Sequence, residues 1–245
     1  MEAYSTLSDV YDRLMNDVSY DCWVDYILKL MANSGAPDDA KILDAGCGTG
    51  SVSVALAQFG FDVTGVDISQ DMLNIAEEKA REAGTHVKFI CQDLTELALH
   101  KPVDVVSASC DVTNYIAPEA ILPFFEAVKR VLKPEGVFLF DISSDYKLQE
   151  ILGDNIFYED SEDLTYIWQN QMEKDRVQMD ITLFKKNGDL FERSDEQHTQ
   201  YIHSIKQLKS KLVQTGLGDI VVYDCFTFDA PKIDSQRIQF CAKKG

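Results

Sequence analysis

Apolar positions along the chain fall into two rhythms. From residue 41 to about 142, short runs that are apolar nearly throughout alternate with stretches whose apolar residues recur at helical spacing. The runs KILDA (41–45), DVTGVD (62–67), VKFIC (87–91), VDVVSAS (103–109) and VFLFDI (137–142) predict strands. Between them, SVSVALAQF (51–59), QDMLNIAEEKAREA (70–83) and FFEAVKRVL (124–132) predict helices. Gly60, Gly84 and the 133–136 segment KPEG stop these helices. Ser69 reads as an N-cap, with Asp71 in the positive first turn and Lys79 and Arg81 near the last. Pro123 is expected in the first turn, because deeper in it would break the helix.

Strands apolar on both faces and alternating with helices predict a parallel sheet covered on both sides, an α/β doubly wound architecture. Two helices are expected ahead of it. Leu7, Val10, Tyr11 and Leu14 form one stripe; Trp23, Tyr26, Ile27, Leu30 and Met31 form the other, ended by the 34–37 segment SGAP.

The rhythm changes after about residue 151. DLTYIWQNQM (163–172) and RVQMDITLFKK (176–186) alternate with period two, placing Val177, Met179, Ile181 and Leu183 on one face. Asn187-Gly188 is a hairpin signal, and DLFERSDEQHTQYIH (189–203) supplies the returning strand. The helical stretch 204–216 and the strands 219–226 and 237–243 then rejoin the main sheet. The expected organisation is a helical cap over 1–36, a core over 37–150 and 203–245, and an antiparallel β-meander inserted over 155–202.

Composition narrows the function. The 245 residues are 45% hydrophobic and 26% charged, ordinary for a globular chain. The formal charge of −18 opposes a nucleic-acid backbone, and the cationic clusters (185–186, 206–211, 243–244) are short. None of the six cysteines forms a C-x-x-C pair, so no metal site is expected and the setting reads as cytoplasmic. The first residues lack the apolar core of a signal peptide, and no run reaches the ~18 apolar residues of a membrane span.

The candidate chemistry lies at the strand ends. DAGCGTG (44–50) follows the first strand at the edge where open parallel sheets bind ligands. Ser51 stands where a dinucleotide fingerprint wants a third Gly or Ala, and no Lys follows as in a P-loop. Asp44 precedes the first glycine and can accept from an ammonium group. Asp67 ends the second strand, 67 − 46 = 21 residues after Gly46, the spacing at which an acid meets a ribose diol. Asp93 follows the third strand, where a carboxylate can accept from an adenine amine; Ile68 and Leu94 offer apolar faces. A nucleoside with an amino-acid tail, such as S-adenosylmethionine, fits this set and needs no phosphate.

KILDAGCGTG, GVDISQDML, CQDL and VLKPEGVFLFDI together resemble the ordered motifs of class I S-adenosylmethionine-dependent methyltransferases, and the opening YDRLM…DVSYDCWVDYI with the later antiparallel insertion resembles a subgroup often assigned small-molecule substrates. The resemblance covers residues 41–141. It implies a Rossmann-like, mostly parallel seven-stranded sheet with an antiparallel last strand, and S-adenosylmethionine as cofactor. It also implies that Asp44, Ala45, Gly46, Cys47, Gly48 and Gly50 hold the methionine end and Asp67 the ribose. Asp93 takes the adenine amine, Ile68, Met72 and Leu94 line the ring, and Cys110 and Asp111 flank the methionine end. Tyr11 closes over the cofactor.

The expected reaction is displacement of the sulfonium methyl by a nitrogen or oxygen of a small-molecule acceptor. Alignment supplies much of the rate, and a hydroxyl acceptor needs a base. Asp111, Asn114, Tyr115 and His198 are candidates for catalysis, and Tyr115, Trp168 and His198 for acceptor binding. Segment 109–116 departs from the N/D-P-P-Y signature of amino-directed nucleic-acid methyltransferases. Methyl transfer to RNA or protein, a nicotinamide oxidoreductase and a non-catalytic cofactor-binding protein stay open, as do monomer and homodimer.

Overall fold

The computed structural model describes residues 19–245. The stripe containing Tyr11 lies outside the described residues. Helix α1 (Tyr20–Asn33) opens the described chain, capped by Ser19 and closed by Ser34 and Gly35. Strand β1 (Lys41–Ala45), α2 (Ser51–Gln58), β2 (Asp62–Asp67), α3 (Gln70–Glu82) and β3 (Lys88–Cys91) follow in the predicted alternation. The Ser69 hydroxyl accepts from the Met72 N–H at 3.3 Å at the start of α3. Next come β4 (Val103–Ala108), α4 (Ile121–Val131) and β5 (Leu132–Ser143). Pro123 falls in the first turn of α4.

Segment 133–136 is not the separate turn that its composition predicts. It begins β5 as a bulged segment, with Glu135 at φ 60° and a register shift against β4 between Val103 and Val105. The bulge takes up the proline and the left-handed residue, and pairing with β4 skips from Leu132 to Val137.

After the meander, α5 (Ile205–Thr215) starts with a capping box between Ser204 and Gln207, and β10 (Leu217–Asp224) and β11 (Arg237–Lys244) end the chain. The seven-stranded sheet runs β10-β11-β5-β4-β1-β2-β3. Strands β1 to β5 pair in parallel, and β11 lies antiparallel between β5 and β10. Trp23, Ile27 and Leu30 of α1 with Leu56 of α2 belong to one core cluster. Phe124 and Val128 of α4 with Leu208 and Leu212 of α5 belong to the other. The parallel strands therefore deliver residues 46, 67, 93 and 110 to one edge.

The inserted sheet has four strands, β6 (Ile156–Asp160), β7 (Leu164–Met172), β8 (Arg176–Asn187) and β9 (Leu190–Tyr201), in sequence order. The first, β6, is not foreseen: only Phe157 on it is even half-buried, so no apolar alternation marks it. A π turn at Lys147–Leu152 leads into this sheet. Its Leu148 and Leu152 pack with Val177 and Met179 of β8, tying the meander to the end of β5.

Candidate active site

The turn after β1 is shaped by its glycines. Gly46, Gly48 and Gly50 have φ of 75°, 53° and 75°. A Cβ on Gly46 would lie 2.6 Å from Val112 Cγ2, so the loop after β4 seats directly against the turn. A Cβ on Gly48 would meet nothing within 4 Å, leaving that part of the hollow open. The N–H groups of Gly46 and Cys47 donate to the Val66 carbonyl at 2.7 and 3.0 Å, closing β1 onto β2. Lys79 of α3 donates to Thr49 Oγ1 at 3.1 Å and Ser51 Oγ at 2.7 Å, a brace that no sequence motif announces.

Asp44 lies behind this hollow, 3% exposed, and accepts from Ser53 Oγ at 2.5 Å. Burial pushes its carboxyl up to about 6, against the opposing hydrogen bond from Ser53. Asp67 accepts from the Gly48 N–H at 2.8 Å and the Ser69 N–H at 2.9 Å. Burial raises its pKa, and those two N–H groups and that of Ile68 oppose the rise. Asp93 caps a short 3-10 turn (Leu94–Glu96), accepting from Thr95 N–H at 2.8 Å and Thr95 Oγ1 at 2.7 Å. Ile68 is 66% exposed beside Asp67, whereas Met72 is 2% exposed and belongs to the packed interior. Leu94 is half-buried against the core. Burial, then Asp44 and Asp67, drive the Cys47 thiol well above its ordinary pKa, which argues against a nucleophile.

A second constellation stands where β4 ends. Cys110 and Asp111 are consecutive non-glycine residues at φ 63° and 56°, each costing about 1–2 kcal/mol. A polar network holds the corner. The Asp111 N–H donates to Asp141 Oδ2 at 3.0 Å, and Ser143 Oγ and Gln200 Nε2 donate to Asp111 Oδ2 at 2.9 and 3.1 Å. Arg237 Nη1 donates to the Asp141 carboxylate, and Arg237 Nη2 lies 3.6 Å from Asp111 Oδ2. The same guanidinium sits 5.4 Å from the centre of the Trp23 ring. Asp141 is fully buried, and burial raises its pKa against the pull of Arg237. Burial, then Asp141, raises the Cys110 thiol well above its ordinary range. Of this group only Cys110 and Asp111 stand out in the sequence. Asp141, an acid inside an apolar run, is the one other visible signal; Ser143, Gln200 and Arg237 carry none.

The remaining candidates separate. Asn114 lies in the 3-10 turn Val112–Tyr115, fully buried; its Nδ2 donates to the Ser143 and Tyr201 carbonyls at 3.2 and 3.0 Å, and its Oδ1 accepts from the Ser143 N–H at 2.8 Å. Both amide hydrogens are spent on backbone, which makes Asn114 a strut between β5 and β9. Tyr115 is 39% exposed and meets His198 edge-on, with ring centres 6.3 Å apart. His198 is buried on the inner face of β9, 3.2 Å from Glu196 Oε2. Trp168 packs on Phe157 at 5.6 Å and donates to Asn170 Oδ1 at 2.5 Å, among the meander's own apolar contacts.

A buried acid behind a backbone hollow, flanked by two carboxylates at successive strand ends, suits a ligand rich in N–H and O–H donors with a cationic tail. The donor set therefore fits S-adenosylmethionine. Among the described residues no group of His, Cys, Asp and Glu is arranged to hold a metal, and no helix is long and apolar enough to cross a membrane.

Residues 42–136 match the family model of a methyltransferase domain. Over 98% of this chain and 99% of the relative, the sequence is 37% identical to a protein of Geobacillus sp. (strain WCH70) named "Putative methyltransferase GWCH70_2453". A solved S-adenosylmethionine-dependent methyltransferase from Clostridium acetobutylicum is 34% identical, with 99% of each chain covered and a TM-score of 0.89. The methyltransferase CcbJ of Streptomyces caelestis shares the fold at 18% identity and a TM-score of 0.81, over 98% of this chain and 96% of its own. The edge that gathers the glycine turn and its three carboxylates is thus that of an S-adenosylmethionine-dependent methyltransferase, the family to which this chain belongs.

Proposed function

We propose that this enzyme methylates a nitrogen or oxygen of a small-molecule acceptor held between the carboxyl edge of the main sheet and the inner face of the meander. The observation that carries the reading is the reach of Gln200 from β9 to the Asp111 carboxylate at 3.1 Å, which fixes the meander against the β4 corner. Tyr115, on the turn after β4, and His198, on β9, meet edge-on across this seam.

Asp44, Ala45 and the turn from Gly46 to Gly50, including Cys47, hold the amino-acid end of the cofactor. Asp67 takes the ribose hydroxyls and Asp93 the adenine amine, with Ile68 and Leu94 against the ring. Met72 supports that wall from the interior. Cys110 and Asp111 border the reacting end. When bound, the cofactor supplies an electrophilic methyl on a sulfonium. The chain's task is then alignment and exclusion of water. Tyr115 orients the acceptor and His198 is the group placed to hold its proton, because Asn114 is committed to backbone and Asp111 to its network. The acidic charge of −18 disfavours RNA as acceptor, and six free thiols fit a reducing, cytoplasmic setting.

Incubation with methyl-labelled cofactor and a metabolite extract, alongside total RNA and protein, tests the acceptor class. Label in the low-mass fraction supports the reading; label only in RNA or protein overturns it.

A further inference from the structure

The glycine turn is gripped from two sides. On one, Asp67 Oδ2 accepts from the Gly48 N–H at 2.8 Å. On the other stands α3. A Cβ on Gly50 would lie 2.7 Å from Ala76 Cβ, so this helix packs directly on the turn. Next on the same face of α3, Lys79 sends its ammonium to both hydroxyls that flank Gly50, Ser51 Oγ at 2.7 Å and Thr49 Oγ1 at 3.1 Å. Thr49 is 2% exposed, so its hydroxyl is held inside the structure. Gly50 starts α2 at φ 75° and has no side chain to cap it. Contacts of the flanking hydroxyls therefore help to set the path of residues 49–51. The last turn of α3 favours a cation, and that alone accounts for a lysine at this position. It does not account for the direction of the side chain. Arg81, in the same turn, pairs with Glu78 at the exposed surface, whereas Lys79 crosses to the glycine turn.

We propose that Lys79 is a positioning residue for the cofactor's amino-acid end. By holding Thr49 and Ser51 it keeps the hollow at residues 48–50 in the shape that receives that end, and its loss is felt there and not at the nucleoside. The inference rests on the reading that the turn holds the amino-acid end. Lys79 acts through the turn and needs no contact with the cofactor. An ammonium carries three donors on a flexible stem, so one side chain can serve two separate hydroxyls.

Calorimetry on the full-length protein compares S-adenosylhomocysteine with methylthioadenosine, which keeps the nucleoside and the sulfur but lacks the amino-acid end. Wild type is expected to prefer S-adenosylhomocysteine. Lys79→Met should weaken S-adenosylhomocysteine about tenfold, the size of two modest hydrogen bonds, and leave methylthioadenosine nearly unchanged. Ser51→Ala tests the same route with the lysine in place. It should weaken S-adenosylhomocysteine too, and combining it with Lys79→Met should cost less than the two losses added. Unchanged S-adenosylhomocysteine affinity in Lys79→Met, an equal loss of both ligands, or strict additivity with Ser51→Ala overturns the proposal. If Lys79→Met does not fold, Ser51→Ala decides alone: a reduced preference for S-adenosylhomocysteine supports the proposal, and an unchanged one overturns it. Wild type binding both ligands equally would remove the reading of the turn itself, and the proposal with it.

Discussion

Gln200 of β9 donates its side-chain amide to the carboxylate of Asp111 at 3.1 Å, joining residues 89 positions apart. With the bond from Asn114 Nδ2 to the Tyr201 carbonyl, it links the inserted meander to the main sheet. Replacing Gln200 by Leu removes one bond to a charged, part-buried acceptor, worth roughly 1.5–3 kcal/mol. The midpoint of urea unfolding should fall accordingly. Affinity for S-adenosylhomocysteine should change little, because the glycine turn is untouched, while methyl transfer to the identified acceptor should drop. Equal losses in both would show that the seam does not separate the two sites.

Arg237 faces two acids at once, the fully buried Asp141 and the half-buried Asp111. Arg237→Met leaves Asp141 and Asp111 without it, and breaking a buried pair from one side costs about 3–5 kcal/mol. Adding Asp141→Asn should restore part of that loss, so the double variant is expected to unfold at a higher denaturant concentration than Arg237→Met alone. A strictly additive cycle would show that the two side chains do not interact.

Gly46 has two reasons to be glycine: φ of 75° and a would-be Cβ 2.6 Å from Val112 Cγ2. Gly46→Ala should lose stability and S-adenosylhomocysteine binding together. Pairing it with Val112→Ala relieves the clash and leaves the backbone strain, about 1–2 kcal/mol. Thermal unfolding of the single and double variants separates the two contributions.

Asp44 gives a pH dependence whose sign is fixed. Its carboxyl is raised from 3.8 to about 6 in the folded protein, so the folded state binds the proton more tightly than the unfolded chain. This contribution to stability is full below 3.8 and is lost as pH rises through about 6. Two units correspond to about 3 kcal/mol. Asp44→Asn should flatten the fall in unfolding free energy between these values. Under the proposed role of Asp44, cofactor binding needs the ionised form, so calorimetry should show S-adenosylhomocysteine affinity rising over the same interval in the wild type alone.

Much of the fold is legible in the chain because it rests on local rules. Near-continuous apolar strands, Ser69 as a cap, and Asn187-Gly188 each act within a few residues of themselves. The glycine turn and the acids at positions 44, 67 and 93 are legible for a related reason: each follows directly from a strand end, and parallel pairing sends every such end to one edge. Strand β6 escaped because its residues are largely exposed and pair through backbone, which leaves no apolar period to read.

What the sequence determined by itself was the alternating α/β core and the strand-end edge at which the glycine turn and the carboxylates at 44, 67 and 93 gather. Only the tertiary structure decided how the corner at Asp111 is held, that Asn114 is a strut, and that Arg237 meets the buried Asp141. Those relations join β4, β5, β9 and β11 across stretches of 29 to 96 residues. They depend on which buried charges meet when the sheet closes, and a charge carries no mark of its partner along the chain.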